Sequence, residues 1–208
     1  MGGILSGFEF IRYCLALLIL ASHLPSLCVW LAIHPFSAFW RKVGGGWTFL
    51  FLVLPVAVWI IGVWFLREVL LGADWGTNAV TMALSGLSLA GALALRIIRM
   101  RNPGGKKIAG FAELSREKYP GSLVTGGIYG RIRNPRYIEM LLWVLGYCLF
   151  ANYSGPYLVM VASLPIVYLV VILEERELGR RFGQAYDEYC RRVPRFIPHP
   201  GIRRPAGK

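Results

Sequence analysis

The chain has 208 residues, of which 56% are apolar and only 16% charged, with 23 Lys and Arg against 11 Asp and Glu. A water-soluble domain carries nearer a quarter charged residues, so the composition argues against an ordinary soluble globule and for a membrane protein. Nine of the basic residues fall in 99–136 and nine in 176–208; they flank apolar runs with no recognition fold or stacking platform beside them, which excludes nucleic acid as the natural partner.

A helix rises 1.5 Å per residue, so about 20 apolar residues cross the hydrocarbon core. Five segments meet or approach that length. The first is Gly7–Ile33, the second Trp47–Leu66 and the third Thr77–Ile98. The fourth, Tyr137–Phe150, is short, and the break Ala151-Asn152-Tyr153-Ser154-Gly155 leads directly into the fifth, Pro156–Leu173. A break that short predicts a helical hairpin. Pro25, Pro55 and Pro165 lie inside spans, where neighbouring groups can satisfy the freed carbonyls. Trp40, Trp47, Trp59, Trp64 and Trp75 mostly lie near predicted helix ends, as interfacial aromatics do.

Cytoplasmic loops carry the excess of Lys and Arg. Arg41 and Lys42, the basic 99–136 loop and the basic C-terminal tail alternate with the nearly neutral 67–76 loop and the uncharged 152–155 turn. The expected fold is therefore an all-α integral membrane bundle of five spans, N-terminus outside and C-terminus inside. One domain is expected over 1–208: a three-helix part, 1–98, then a basic loop, hairpin and tail, 99–208. The first apolar stretch is too long for a signal-peptide core and lacks a basic n-region.

Few residues offer chemistry. Cys14, Cys28, Cys148 and Cys190 form no CxxC pair and imply no disulfide framework. His23 reads as a packed polar residue, while His34 and His199 lie at edges. No Ser-His-Asp set, HExxH or Cys–His pair is visible, so neither a nucleophile nor a metal site is expected. Between Arg101 and Tyr119, Asn102-Pro103-Gly104-Gly105 is a turn signal and 108–118 a short interfacial helix.

The segment 122–129 has extended character, and its glycine pair, Gly126-Gly127, permits close approach to a ligand. Asn134 is a strong N-cap and Pro135 suits the first helical position. A helix start ringed by Arg131, Arg133 and Arg136 suits an anionic group; equally, it is a cap whose basic neighbours meet anionic headgroups. Glu139, one turn into the fourth helix, is either a dipole-complementing acid or a functional one. Glu174 and Glu175 lie where the fifth helix leaves its apolar run, and Glu175 and Glu177 read as a solvated continuation.

The motif Leu123-Val124-Thr125-Gly126-Gly127-Ile128-Tyr129-x-x-x-Arg133-Asn134-Pro135-x-Tyr137 resembles the isoprenylcysteine carboxyl methyltransferase family, taken broadly to include phospholipid methyltransferase relatives. So does Glu174-Glu175-x-x-Leu178-x-x-x-Phe182-Gly183-x-x-Tyr186-x-x-Tyr189-x-x-x-Val193-Pro194-Arg195-x-Ile197-Pro198. The two motifs flank the hairpin in order. The resemblance implies S-adenosylmethionine as methyl donor, bound at cytoplasmic loops, and a lipophilic acceptor reached from the lipid. It implies cofactor contacts at Gly121, Ser122, Leu123, Val124, Tyr129, Asn134, Pro135, Arg136, Tyr137 and Glu174, with no metal. Glu139 is the candidate for a catalytic role. Two departures stand out: Val170 occupies the position where members acting on prenylated cysteine carry Arg, and Glu139 replaces a common Gly. Asn134, where many eukaryotic members have His, is a bacterial-type pattern, which points to a bacterial inner membrane. Alternatives are a phospholipid N-methyltransferase, a sterol-reductase-like NADPH enzyme and a non-catalytic membrane protein.

Overall fold

The computed structural model describes residues 6–33, 39, 42–43, 45–101 and 123–198. Within them the chain is helical and forms no strand; Asp74 and Tyr153 make an isolated antiparallel bridge. The helices are α1 (Gly7–Ile33), α2 (Gly45–Phe65), α3 (Arg67–Leu71), α4 (Ala79–Arg101), α5 (Pro135–Ala151), α6 (Ser154–Phe182) and α7 (Gln184–Arg192), with a 3-10 turn at Gly127–Gly130. Every span expected from hydropathy is thus a helix. Three of them, Gly7–Ala32, Ala79–Arg101 and Ser154–Phe182, are long and apolar enough to cross a membrane. Their surfaces carry the inverse of a soluble pattern: on α2 alone, Phe51, Leu54, Val58, Ile61 and Phe65 are exposed, a face that water would not tolerate but acyl chains would.

Local chemistry sets the helix starts. Ser6 and Glu9 form a reciprocal capping box, Ser6 N–H donating to Glu9 Oε2 at 2.9 Å and Glu9 N–H to Ser6 Oγ at 3.3 Å. Asn78 caps α4 by accepting the Thr81 N–H at 2.9 Å. Pro135 opens α5, where its missing N–H costs nothing.

The chain divides into two compact units, residues 1–90 with 141–170 and residues 91–140 with 171–208. In the first, Ala16, Leu20, Val63, Leu71, Ala151 and Tyr153 form an apolar core. Ser85 Oγ donates to the Gly146 carbonyl at 2.8 Å and Ser88 Oγ to the Leu142 carbonyl at 2.9 Å, hydroxyls tying α4 to α5 as membrane helices do. Arg12, 2% exposed, donates to the Ala151 carbonyl at 3.1 Å, pairs with Asp74 and lies over the Tyr153 ring. The hairpin turn is only Asn152 and Tyr153, with Asn152 in the left-handed region at φ 54°, and it is stitched to 73–76. Trp75 N–H donates to the Asn152 carbonyl, Ser154 N–H to the Ala73 carbonyl, and the Asn152 side chain to the Gly76 carbonyl. Gly155 permits this approach, since a Cβ there would fall 1.8 Å from the Leu70 carbonyl oxygen.

The second unit is held by α7 and the segment after it. Tyr186, Tyr189 and Val193 are buried together, with Leu123, Leu178, Phe182 and Cys190 packed against them. Gly183, at φ 54°, breaks α6 from α7.

Candidate functional site

Both sequence motifs come together in the second unit. The main chain of Arg133 donates to the Pro194 carbonyl at 2.9 Å and that of Asn134 to the Arg195 carbonyl at 3.2 Å. Tyr189 Oη donates to the Tyr129 carbonyl at 2.7 Å, fixing the 3-10 turn. These bonds explain the tyrosines and the Val-Pro-Arg of the C-terminal motif: they buttress the helix start from behind. Burial pushes the Tyr186 and Tyr189 phenols well above their ordinary value, so both stay neutral donors.

At the centre lies Glu175. It accepts from Arg133 Nε at 3.2 Å and Nη2 at 3.3 Å, from Asn134 Nδ2 at 2.8 Å and from Arg195 Nη2 at 2.8 Å. This corrects the expectation of a solvated acid. It also removes Arg133 from the ring expected to meet an anionic ligand, because that guanidinium is committed to Glu175 and, at 3.0 Å, to the Cys190 carbonyl. The Asn134 amide is spent on Glu175. The segment expected to run extended to residue 129 does so only to Gly126; Gly127, at φ 61°, then turns the chain into the 3-10 turn.

The remaining candidates fall around this knot. Gly121 and Ser122 lie outside the described residues, as do the 102–118 features and His34, His199 and Trp40. Leu123 packs on the Tyr186–Tyr189 cluster and Val124 is half-buried. Tyr129, Asn134, Pro135 and Tyr137 are buried, and the Arg136 guanidinium stands 5.8 Å from the centroid of the Tyr137 ring. Glu174 is half-buried beside Glu175. Glu139 is buried and paired, 2.8 Å from Arg99 Nε and 3.8 Å from Arg96 Nη1. The Tyr129 hydroxyl is buried with no hydrogen-bond partner among the described residues. Burial raises its pKa, while Arg99 and Arg136 pull it down. Val170 is closed inside the first unit and carries no charge to any ligand. No group of three or more His, Cys, Asp or Glu that could hold a metal occurs among the described residues.

Glu175 is the residue that sequence reasoning missed. The signal was present: two arginines, Arg133 and Arg195, sit one in each motif, and cations brought together by the two motifs call for an acid between them.

A Protein-S-isoprenylcysteine O-methyltransferase of Schizosaccharomyces pombe is 34% identical to this chain over 77 residues, 36% of the chain and 33% of that protein. A Delta(14)-sterol reductase of Mus musculus is 28% identical over 102 residues, 48% of the chain and 24% of that protein. The chain therefore matches a third or less of the length of either relative. No solved structure matches it. The model of the Phospholipid methyltransferase family matches residues 79–185, which run from the start of α4 through the hairpin into α7. Covering just over half of the chain, that match shows that the protein belongs to the Phospholipid methyltransferase family.

Proposed function

We propose that the protein is an S-adenosylmethionine-dependent membrane methyltransferase acting on a lipophilic acceptor, of the isoprenylcysteine carboxyl O-methyltransferase type. The observation that carries this reading is the second unit itself. The family match spans the first motif and the start of the second, and both motifs close on one helix start. The residues present suit the donor. Glu174 would take the amino group or ribose hydroxyls. The α5 start with Arg136 would face the methionine carboxylate. Tyr129 and Tyr137 would supply aromatic walls, and the unmatched Tyr129 hydroxyl leaves a donor for a ligand. Leu123, Val124, Asn134 and Pro135 would line the site with Gly121 and Ser122. S-adenosylmethionine supplies the electrophilic methyl group; these residues hold it in line with the acceptor, which is the main source of acceleration for such a displacement. Glu139 is the near-membrane acid proposed to serve an acceptor that must lose a proton.

We read 1–208 as one domain of five spans in a bacterial inner membrane, N-terminus outside and C-terminus inside. Contacts inside each unit support the alternation. Asp74 bridges Tyr153, and the long helices described between them are α4 and α5; Arg133 pairs with Glu175, and the chain between them runs through α5 and most of α6. Two crossings return the chain to the side it left.

A phospholipid N-methyltransferase would share this donor site and differ in acceptor, and the sterol-reductase match keeps a nicotinamide enzyme as the second reading. Calorimetric titration of detergent-solubilised protein with S-adenosylhomocysteine and with NADPH separates them. S-adenosylhomocysteine is expected to bind, and Glu174→Gln and Tyr137→Ala to weaken it at least tenfold without unfolding the protein. Binding of NADPH alone would overturn the proposal.

A further inference from the structure

The second unit holds a cluster that the helix-start knot does not use. Arg96 and Arg99 lie one turn apart on α4, and both turn to the single carboxylate of Glu139. Among the described residues, two guanidiniums against one carboxylate leave a positive charge over. Arg99 makes the close contact and is 13% exposed; Arg96 stands off at 3.8 Å and is 58% exposed. The Tyr129 hydroxyl, in a residue 6% exposed, has the Arg99 guanidinium beside its oxygen and Arg136 and Glu139 within electrostatic reach, and its own O–H finds no acceptor among the described residues. A buried O–H without an acceptor beside surplus positive charge is the arrangement that an oxyanion completes: it accepts from the phenol and matches the guanidinium.

The location narrows the ligand. Arg96 and Arg99 occupy the last two turns of a helix long and apolar enough to span a membrane. Leu93, Ile97 and Met100, on the same stretch, are exposed. Headgroup chemistry therefore sits beside an apolar surface for a chain.

We propose that Arg96, Arg99 and the Tyr129 hydroxyl form a binding site for the anionic group, carboxylate or phosphate, of the lipophilic methyl acceptor, with Glu139 positioning Arg99. The inference rests on the methyltransferase reading and adds to it the residues that meet the acceptor's anionic group. Glu139 then has a role that requires no proton transfer: it holds the Arg99 Nε edge and keeps the guanidinium from collapsing onto other partners.

The test uses the full chain in a neutral maltoside detergent, with dodecyl phosphate and dodecanoate as anionic probes, dodecanol as the neutral control and inorganic phosphate as the head alone. Thermophoresis or tryptophan fluorescence reads the affinities. At least one anionic probe is expected to bind tenfold or more tighter than dodecanol, and the stronger of the two identifies the oxyanion. Inorganic phosphate should bind far more weakly than dodecyl phosphate; equal binding would mean a free-anion site and overturn the lipid-borne assignment. Tyr129→Phe and Arg99→Gln should each cost about tenfold for the anionic probes and nothing for dodecanol. Exposed Arg96→Gln, the variant least able to disturb folding, should cost about threefold. Dodecanol binding as tightly as both anions, or unchanged anion affinity in Arg96→Gln and Tyr129→Phe, would overturn the site. Titration of the parent protein with S-adenosylhomocysteine separates the two proposals. Donor binding without anion preference removes only the acceptor site, whereas anion preference without donor binding removes the methyltransferase reading.

Discussion

The two units each surround a largely buried charged side chain with partners, and the second holds another, Glu139, that is treated differently. In the first, Arg12 is met on every side by the Ala151 carbonyl, Asp74 and the Tyr153 ring. In the second, Glu175 is equally saturated by Arg133, Asn134 and Arg195, yet beside Glu139, among the described residues, Arg96 makes only a long contact and the Tyr129 O–H finds no acceptor. A saturated network stabilises; a partly satisfied one leaves capacity for something from outside. The contrast agrees with the proposed placement of the chemistry in the second unit.

Replacing Glu175 with Ala tests the contrast hardest. It takes the shared carboxylate from Arg133, Asn134 and Arg195, a loss of about 3–5 kcal/mol. Thermal unfolding in detergent should show a large fall together with loss of S-adenosylhomocysteine binding. A variant that unfolds normally would mean that the knot is not what holds the helix start. Arg12→Met comes next, at about 3 kcal/mol, since Asp74 is 42% exposed and can recover water when its partner is lost. Its distinguishing feature is selectivity: the surviving folded fraction should bind S-adenosylhomocysteine as the parent does. Gly155→Ala should cost about 1–3 kcal/mol, because the new methyl meets the Leu70 carbonyl rather than a movable side chain; unchanged stability would show that α3 can move away.

The smallest effect is a dependence on pH. Although burial pushes Asp74 up, the Gly76 N–H and the Arg12 guanidinium hold it below the ordinary carboxylate value. Its folded pKa is therefore lowered, so its contribution is complete above the unfolded value of about 4 and fades as pH falls through the folded one. Exposure limits that contribution to under about 1 kcal/mol. Comparing the acid limb of stability in Asp74→Asn with the parent should show a slightly flatter curve.

Much of the helical pattern is readable directly from sequence, because a membrane span is written in consecutive apolar residues and its start in Ser6, Asn78 or Pro135. The hairpin is equally plain, since five residues between apolar runs leave room for nothing else. The site is less legible. Glu174 and Glu175 are adjacent and chemically identical, but a helix turns about 100° between them. Only the arrival of Arg133 and Arg195, 42 and 20 residues distant, decides which one becomes the centre of the knot. The Arg99–Glu139 pair is hidden likewise by a separation of 40 residues. Glycine pairs mislead in a different way: Gly126-Gly127 permits both an extended strand and a turn, and Gly127 takes the turn.

The stitching of 73–76 to the hairpin turn has a consequence for how the protein is made. The Ala73 N–H bonds to Ser154 Oγ across 81 residues of chain, and Arg12 waits for the Ala151 carbonyl across 139. At synthesis rates of about 5–20 residues per second, the first of these gaps lasts roughly 4–16 s. Throughout that interval Arg12 has Asp74 within reach but neither the Ala151 carbonyl nor the Tyr153 ring. The nascent N-terminal helices are thus an incomplete product, and the hairpin works as the late-arriving clasp that ends their dependence on water, lipid headgroups or the insertion machinery.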